Sequence, residues 1–314
     1  MRLLKVELQR LFSRRAVVIL MLLGALGVGA VAAGTMYNAR PVSASELAAA
    51  QREADEMNRE PWMQREVTRC VKRGESQDRC ERSIAMRPEY LISRQPLDPQ
   101  DWKVWLLSMA ALVAAVGVLI GATFIGADYA SGSLTTQLLF EPNRLKVWSA
   151  KVGALLIGVG TFALVSLSAA NAAFWLAARA WDRPLTQALQ GDWAAGAGRS
   201  IVFAALASVV GYAIVVLARH TAAALGLIAV YALVIEAAVR AVWPGSERWL
   251  PSNHFIAWIW GRWRTKIYGD CDFNGRCRPI VTKFDLSDAF IYLGLLGLVV
   301  AVASSLVFRR RDVA

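Results

Sequence analysis

The sequence predicts an all-α integral membrane protein. It has six transmembrane helices, an N-terminal interfacial helix and two sizeable extracytoplasmic segments. Composition is the first observation behind this. Apolar residues make up 56% of the 314 and charged residues 19%, a balance foreign to disordered or ordinary soluble chains. The second is a set of apolar runs near the roughly 20 residues that cross a hydrocarbon core about 30 Å thick. They are residues 16–36, 102–125, 152–178, 201–218, 221–242 and 289–308. Lipid tolerates no irregular backbone facing it, so each run is a helix.

The third observation is where the basic residues stand. Arg2, Lys5, Arg10, Arg14 and Arg15 precede the first span against one acid, Glu7. Arg144, Lys146 and Lys151 follow the second span, Arg219 separates the fourth from the fifth, and Arg309-Arg310-Arg311 follows the sixth. The positive-inside rule places both termini and these loops in the cytoplasm; the cysteines of the long loops and the Ala- and Arg-rich usage point to a bacterial plasma membrane. Segments 37–101 and 243–288 then lie outside. The net charge of +11 comes from 35 basic residues scattered over loops on both sides. That excludes a nucleic-acid face and fits juxtamembrane anchoring to lipid.

In order, residues 1–15 form an amphipathic helix with Leu3, Leu4, Leu8, Leu11 and Phe12 on one face, suited to the inner leaflet. This basic start, followed by an apolar stretch and Ala30-Val31-Ala32, also mimics a cleavable leader. The apolar run is long for one. Segment 37–101 reads as polar helices interrupted by Pro61, Pro88, Pro96 and Pro99. Asp98-Pro99-Gln100-Asp101 is a start signal for the second span. Gly117 and Gly121 there, and Ala204 and Ser208 in the fourth span, allow close helix contact, either within one bundle or between subunits. Asn171, in the third span, is a candidate for a substrate path. Arg219-His220 marks a tight turn. Glu236 and Arg240 share a helix face in a favourable order, either as a self-neutralising pair or in gating. The tryptophans between 243 and 263 suit a membrane interface.

The stretch 126–151 reads GADYASGSLTTQLLFEPNRLKVWSAK. Asp128, Gly132, Leu134, Leu138, Leu139, Pro142, Arg144 and Lys151 occur in the order in which an acid, Gly-x-Leu, Leu-Leu, Pro, Arg and Lys recur in the first cytoplasmic loop of ABC-2 type transporter permeases. The chain resembles that family over nearly its whole length, with Asp128 where Glu is more usual. The resemblance implies the membrane subunit of an exporter. It would work as a homo- or heterodimer with separate ATPase subunits that hold ATP and magnesium. It also implies that the first helix is an elbow that braces the ATPase, and that the tryptophan-rich segment forms outer re-entrant or interfacial helices. The stretch Asp128 to Lys151, Gly132 included, would contact the ATPase and transmit its closure to the spans: Asp128 and Arg144 would position against the ATPase, and Leu134, Leu138 and Leu139 would pack a coupling helix into its groove.

Cys70, Cys80, Cys271 and Cys277 all fall in the outer segments, where disulfides persist. Short local loops favour Cys70–Cys80 and Cys271–Cys277. The chain contains no Walker A loop, because no Gly is followed by Lys. Its two histidines, His220 and His254, fall on opposite sides of the expected membrane. The sequence therefore predicts no enzyme activity and no cofactor or metal bound by this chain. A second expectation is a signalling subunit that moves segment 37–101 mechanically and transports nothing.

Overall fold

The computed structural model describes residues 2–92, 102–182, 187–271 and 277–310. The elements in order are α1 (Arg2–Ser13), α2 (Arg15–Ala39), α3 (Ala44–Arg59), α4 (Pro61–Lys72), α5 (Gln77–Ile84), α6 (Pro88–Leu91), α7 (Trp102–Ala130), α8 (Ser133–Phe140), α9 (Arg144–Ala180), α10 (Gln187–Ala218), α11 (Thr221–Val230), α12 (Glu236–Val242), α13 (Pro251–Trp260), β1 (Arg262–Cys271), β2 (Cys277–Asp285) and α14 (Leu286–Arg310). Six helices are long and apolar enough to cross a membrane: α2, α7, α9, α10, α14, and the run Thr221–Val242. That run contains α11, a π-helical turn at Tyr231–Ile235 and α12. The chain divides into two compact units.

The first unit comprises Met1–Ala32, Gln100–Trp175 and Leu185–Ala314. Its core is the contact of α7 with α10. A Cβ on Gly117 would lie 2.7 Å from the Ala204 carbonyl oxygen, and one on Gly121 would overlap the Ser208 carbonyl. Gly211 meets the Val118 backbone in the same way. The small residues of these two spans therefore serve contact within one chain, which removes them as a subunit interface. Packing of this kind is what brings helices together in lipid, where burial from water contributes nothing.

Several sequence boundaries move. Helix α9 starts at Arg144, not at 152, and its 37 residues extend about 55 Å at 1.5 Å per residue. Asn143 caps it, its side chain accepting from the Lys146 amide at 3.1 Å. Helix α10 starts at Gln187, not at 201. The stretch with Gly191, Gly196 and Gly198 lies outside the apolar runs, yet it is helical, and Gly196 lets Leu106 of α7 pack against it. The turn at Arg219-His220 is where the sequence puts it: Arg219 has φ 56° and His220 caps α11.

The largest departure from an all-helical reading is the antiparallel hairpin β1–β2, which pairs Arg262 with Asp285 and Arg264 with Lys283. The expected run of outer helices stops at Trp260. There Gly261 adopts φ 84° and ends α13, a left-handed turn that suits glycine. From Arg262 to Lys266, exposed and half-buried residues alternate, the period of a strand with one face packed.

The second unit comprises Ala33–Pro99 and Leu176–Pro184. Ser43 caps α3 through a reciprocal bond set with Glu46, which removes orphan donors at the helix start. Pro61 opens α4, where its missing N–H costs nothing. Asn58 donates to the Met86 carbonyl at 3.0 Å and accepts from the Met86 amide at 2.8 Å. Cys70 and Cys80 form a disulfide between α4 and α5. The hairpin register sets Cys271 opposite Cys277, but their side chains lie outside the described residues, as does the start signal at 98–101. Closing a loop of this size stabilises by about 3 kcal/mol in the chain-entropy account. A Cys70→Ser variant should therefore exchange its α4 and α5 amides roughly 100-fold faster, a ratio equivalent to that free energy. Dithiothreitol should bring the native chain to the same rate. Unchanged exchange would show that the helices hold without the bridge.

Candidate functional site

The residues singled out between 126 and 151 converge on a buried ionic cluster, but with partners that the sequence alone did not suggest. Lys151, in α9, is fully buried. Its Nζ donates to Glu7 Oε2 at 2.8 Å and to Asp128 Oδ2 at 2.7 Å. Glu7 belongs to α1 and Asp128 to the last turn of α7, and both are fully buried as well. Arg14 donates to the Asp128 carboxylate and to the Phe124 carbonyl, with its guanidinium 4.9 Å from the Phe124 ring centroid. Arg10 lies 3.3 Å from Glu7 and 3.8 Å from Asp128.

Helix α8 joins through two residues four apart on one face. Ser133 donates to Asp128 Oδ1 at 2.6 Å. The Gln137 amide donates to Glu7 at 2.6 Å and accepts from Arg10 at 2.9 Å. Two carboxylates thus face three cations, and each carboxylate oxygen has a donor. A buried charge survives only when it is paired and hydrogen-bonded in this way. The local sequence explains the geometry. Leu4, Glu7, Leu11 and Arg14 fall at three-to-four spacing, so α1 presents Glu7 from its packed stripe. Leu4 meets Gly153 and Leu11 meets Gly158 on α9. Gly132, at φ 67°, turns the chain between α7 and α8.

This arrangement corrects the roles read from the sequence. Asp128, Leu134 and Lys151 are fully buried in this chain, so they are not surfaces for a partner. Leu138 is half-buried, while Leu139 is 80% and Phe140 87% exposed. Arg144 opens α9 and is half-buried. Glu7, Arg10, Arg14, Ser133 and Gln137 were missed as members. Glu7 entered only as the lone acid in a basic stretch. Its place between Leu4 and Leu11 on one face is the available signal, since an acid in an apolar stripe needs a partner.

The residues near the far end of the fifth span form a second group. Arg240 lies 3.7 Å from Glu236 and 3.4 Å from Glu247, and it donates to Ser252 Oγ at 3.0 Å. Glu236 also accepts from the Ser252 amide at 3.2 Å. Ser252 is in the first turn of α13, whose own cap residue Leu250 has no side-chain acceptor. Glu236 therefore supplies the negative charge that a helix start favours. The pair is engaged in holding α13, just after the π turn at Tyr231–Ile235. Asn171 is elsewhere, in α9, with its carboxamide oxygen buried and without a hydrogen-bond partner among the described residues. No cluster of three or more metal-ligating side chains occurs among the described residues.

Six membrane-length helices and a buried ionic lock among α1, α7, α8 and α9 define a multi-pass membrane protein. No protein-family model, curated protein or solved structure matches the chain.

Proposed function

We propose that this chain is the membrane subunit of an ABC-type exporter and that it receives the ATPase stroke through α8. The observation that carries this reading is the Lys151 bridge to Glu7 and Asp128. It ties the N-terminal helix, the end of α7, α8 and the start of α9 into one block. Leu139 and Phe140 project from that block as an exposed apolar pair beside the Glu141–Lys146 ion pair. A block of this kind moves as a unit, so a push on α8 reaches two spans at once. The residues of α8 divide accordingly. Ser133, Leu134 and Gln137 hold the helix, and Leu139 and Phe140 meet a groove on the partner. The basic termini and loops support a cytoplasmic position for this end, where the ATPase works. ATP and magnesium bind the partner, and the functional assembly contains two permease subunits.

The test is affinity purification from gently solubilised membranes, with stoichiometry. The expected result is one nucleotide-binding subunit per chain. Phe140→Asp should abolish its recovery while the permease itself folds and inserts. Recovery of no ATPase, under conditions that keep a control transporter intact, would remove the reading.

A second reading is supported by the separate compact unit of Ala33–Pro99 and Leu176–Pro184, with its own disulfide. In it the same ATPase-driven block works a partner outside the membrane and moves no substrate. It predicts a co-purifying soluble partner, and ATP hydrolysis that no candidate substrate stimulates.

A further inference from the structure

The hairpin β1–β2 carries a cationic face that nothing in the proposed function uses. Arg262, Arg264 and Lys266 alternate along β1 and are exposed, as are Val281, Lys283 and Asp285 on β2. The register sets Arg264 directly opposite Lys283 and Lys266 opposite Val281. Directly opposed residues of an antiparallel pair share a face, with Cβ atoms about 5 Å apart, and like charges there are destabilising. Neither Arg264 nor Lys283 forms an ion pair among the described residues. The other face is packed. Phe284 is buried with its ring 5.1 Å from His254, and Trp263 donates to Asn253 Oδ1 at 3.1 Å, both partners being on α13. The repelling pair is therefore held in place by the inner face and turned outward.

We propose that this face binds the phosphate groups of anionic lipids in the membrane that the chain spans. Depth selects lipid over a soluble polyanion. Strand β2 ends at Asp285, and the membrane-length helix α14 begins at the next residue, Leu286. Lys283 lies six residues before Ala289, where the apolar run begins, no more than about 15 Å along the chain. A headgroup layer is roughly 5–8 Å deep, and the long side chains of Lys283 and its opposite neighbour Arg264 reach down over it, so their charged ends come to phosphate level. Trp243 and Trp249, 57% and 63% exposed, lie just before α13, and tryptophan favours the same layer. Arg264 offers a planar fork that matches a phosphate, and Lys283 adds a point charge. A phosphate between them replaces a repulsion with two attractions. The inference rests on the chain being membrane-embedded and on no part of the exporter reading.

The test uses the full chain purified in a neutral detergent. Phosphatidylglycerol should raise its unfolding midpoint more than phosphatidylcholine does, and native mass spectrometry should find phosphatidylglycerol retained. The double variant Arg264→Gln/Lys283→Gln should lose at least half of the phosphatidylglycerol-specific shift and retain fewer such lipids. In lipid-free detergent it should melt no lower than the native chain, because a repelling pair has been removed. Arg264→Glu provides a second variant. It places opposite charges across the strands and should lose the lipid response as well. An equal lipid response in both variants and the native chain would overturn the proposal. So would the same stabilisation produced by soluble polyphosphate at equal phosphate concentration, which would make the occupant a soluble polyanion.

Discussion

Lys151→Met should lower the stability of the membrane unit by about 3–5 kcal/mol, the range for breaking a buried ion pair by removing one member. Nζ of Lys151 donates to Glu7 Oε2 and to Asp128 Oδ2. Its loss leaves two buried carboxylate oxygens unsatisfied, at roughly 1–3 kcal/mol each. It also leaves two like charges facing one another without the cation between them. In a chain of this size the unfolding midpoint should fall by on the order of 10 °C. The comparison that isolates the mechanism is the triple variant Lys151→Met/Glu7→Gln/Asp128→Asn. It removes the buried charges together and leaves Arg10 and Arg14, which are 31% and 19% exposed and reach water. It should recover at least half of the loss, because the members of one network do not contribute additively. A single variant that melts within a degree or two of the native chain would mean that water already solvates the two acids. Asp128→Glu should be the mildest change in the cluster, since it keeps the charge and alters only the reach.

Gly121→Leu should prevent recovery of folded protein, and Gly211→Leu should do the same. At both positions the atoms that a side chain would meet belong to backbone: the Ser208 carbonyl for Gly121, and the Val118 carbonyl for Gly211. A flexible side chain can move aside for a few tenths of an ångström, but a helix backbone moves only with the whole helix. Overpacking a well-filled core typically costs 1–3 kcal/mol per site. Here the larger residue would also separate α7 from α10 and strip contact from Val113, Ile120, Ala204 and Tyr212, all of them buried. The matched control is Gly29→Leu in α2, where a Cβ meets nothing within 4 Å. It should insert and elute as the native chain does. Size-exclusion profiles of the three variants from one expression series decide the matter. A monodisperse Gly121→Leu protein with native melting would mean that α7 and α10 are not in contact along this seam.

Much of the fold could be read before any coordinates. The apolar runs became the six membrane-length helices, and the break at Arg219-His220 falls where two charged or polar residues interrupt them. Cys70 and Cys80 pair as their short loop suggested. The errors cluster where composition is mixed. Residues 187–200 carry Gly191, Gly196, Gly198, Asp192 and Arg199, weak helix formers and charges that keep them out of the apolar runs. They are helical, with Trp193, Ala197 and Ser200 buried and Gly196 fitted against Leu106, packing that outweighs local propensity. The stretch 262–266 alternates Arg, Trp, Arg, Thr and Lys, a strand period. Trp263 and the tryptophans before it suggest an interfacial helix instead.

The candidate site divides differently. Asp128, Gly132 and Lys151 stood out in the sequence, and the tertiary structure keeps all three in or beside the cluster. It also reverses the exposure expected of two of them. Asp128 and Lys151 face inward, and the adjoining Leu139 and Phe140 face out. Transmembrane length is a sum of transfer free energies along contiguous residues, so the sequence alone determined that this chain crosses a membrane and roughly where. Ion pairing depends on the separation of side chains that are distant in the chain. Lys151 and Glu7 are 144 positions apart, and nothing local to either names the other. Only the packing of α1 against α9 brings them within 2.8 Å. There, removed from water, each charge requires the other, and so the tertiary structure alone decided which of the chain's many charges form the lock.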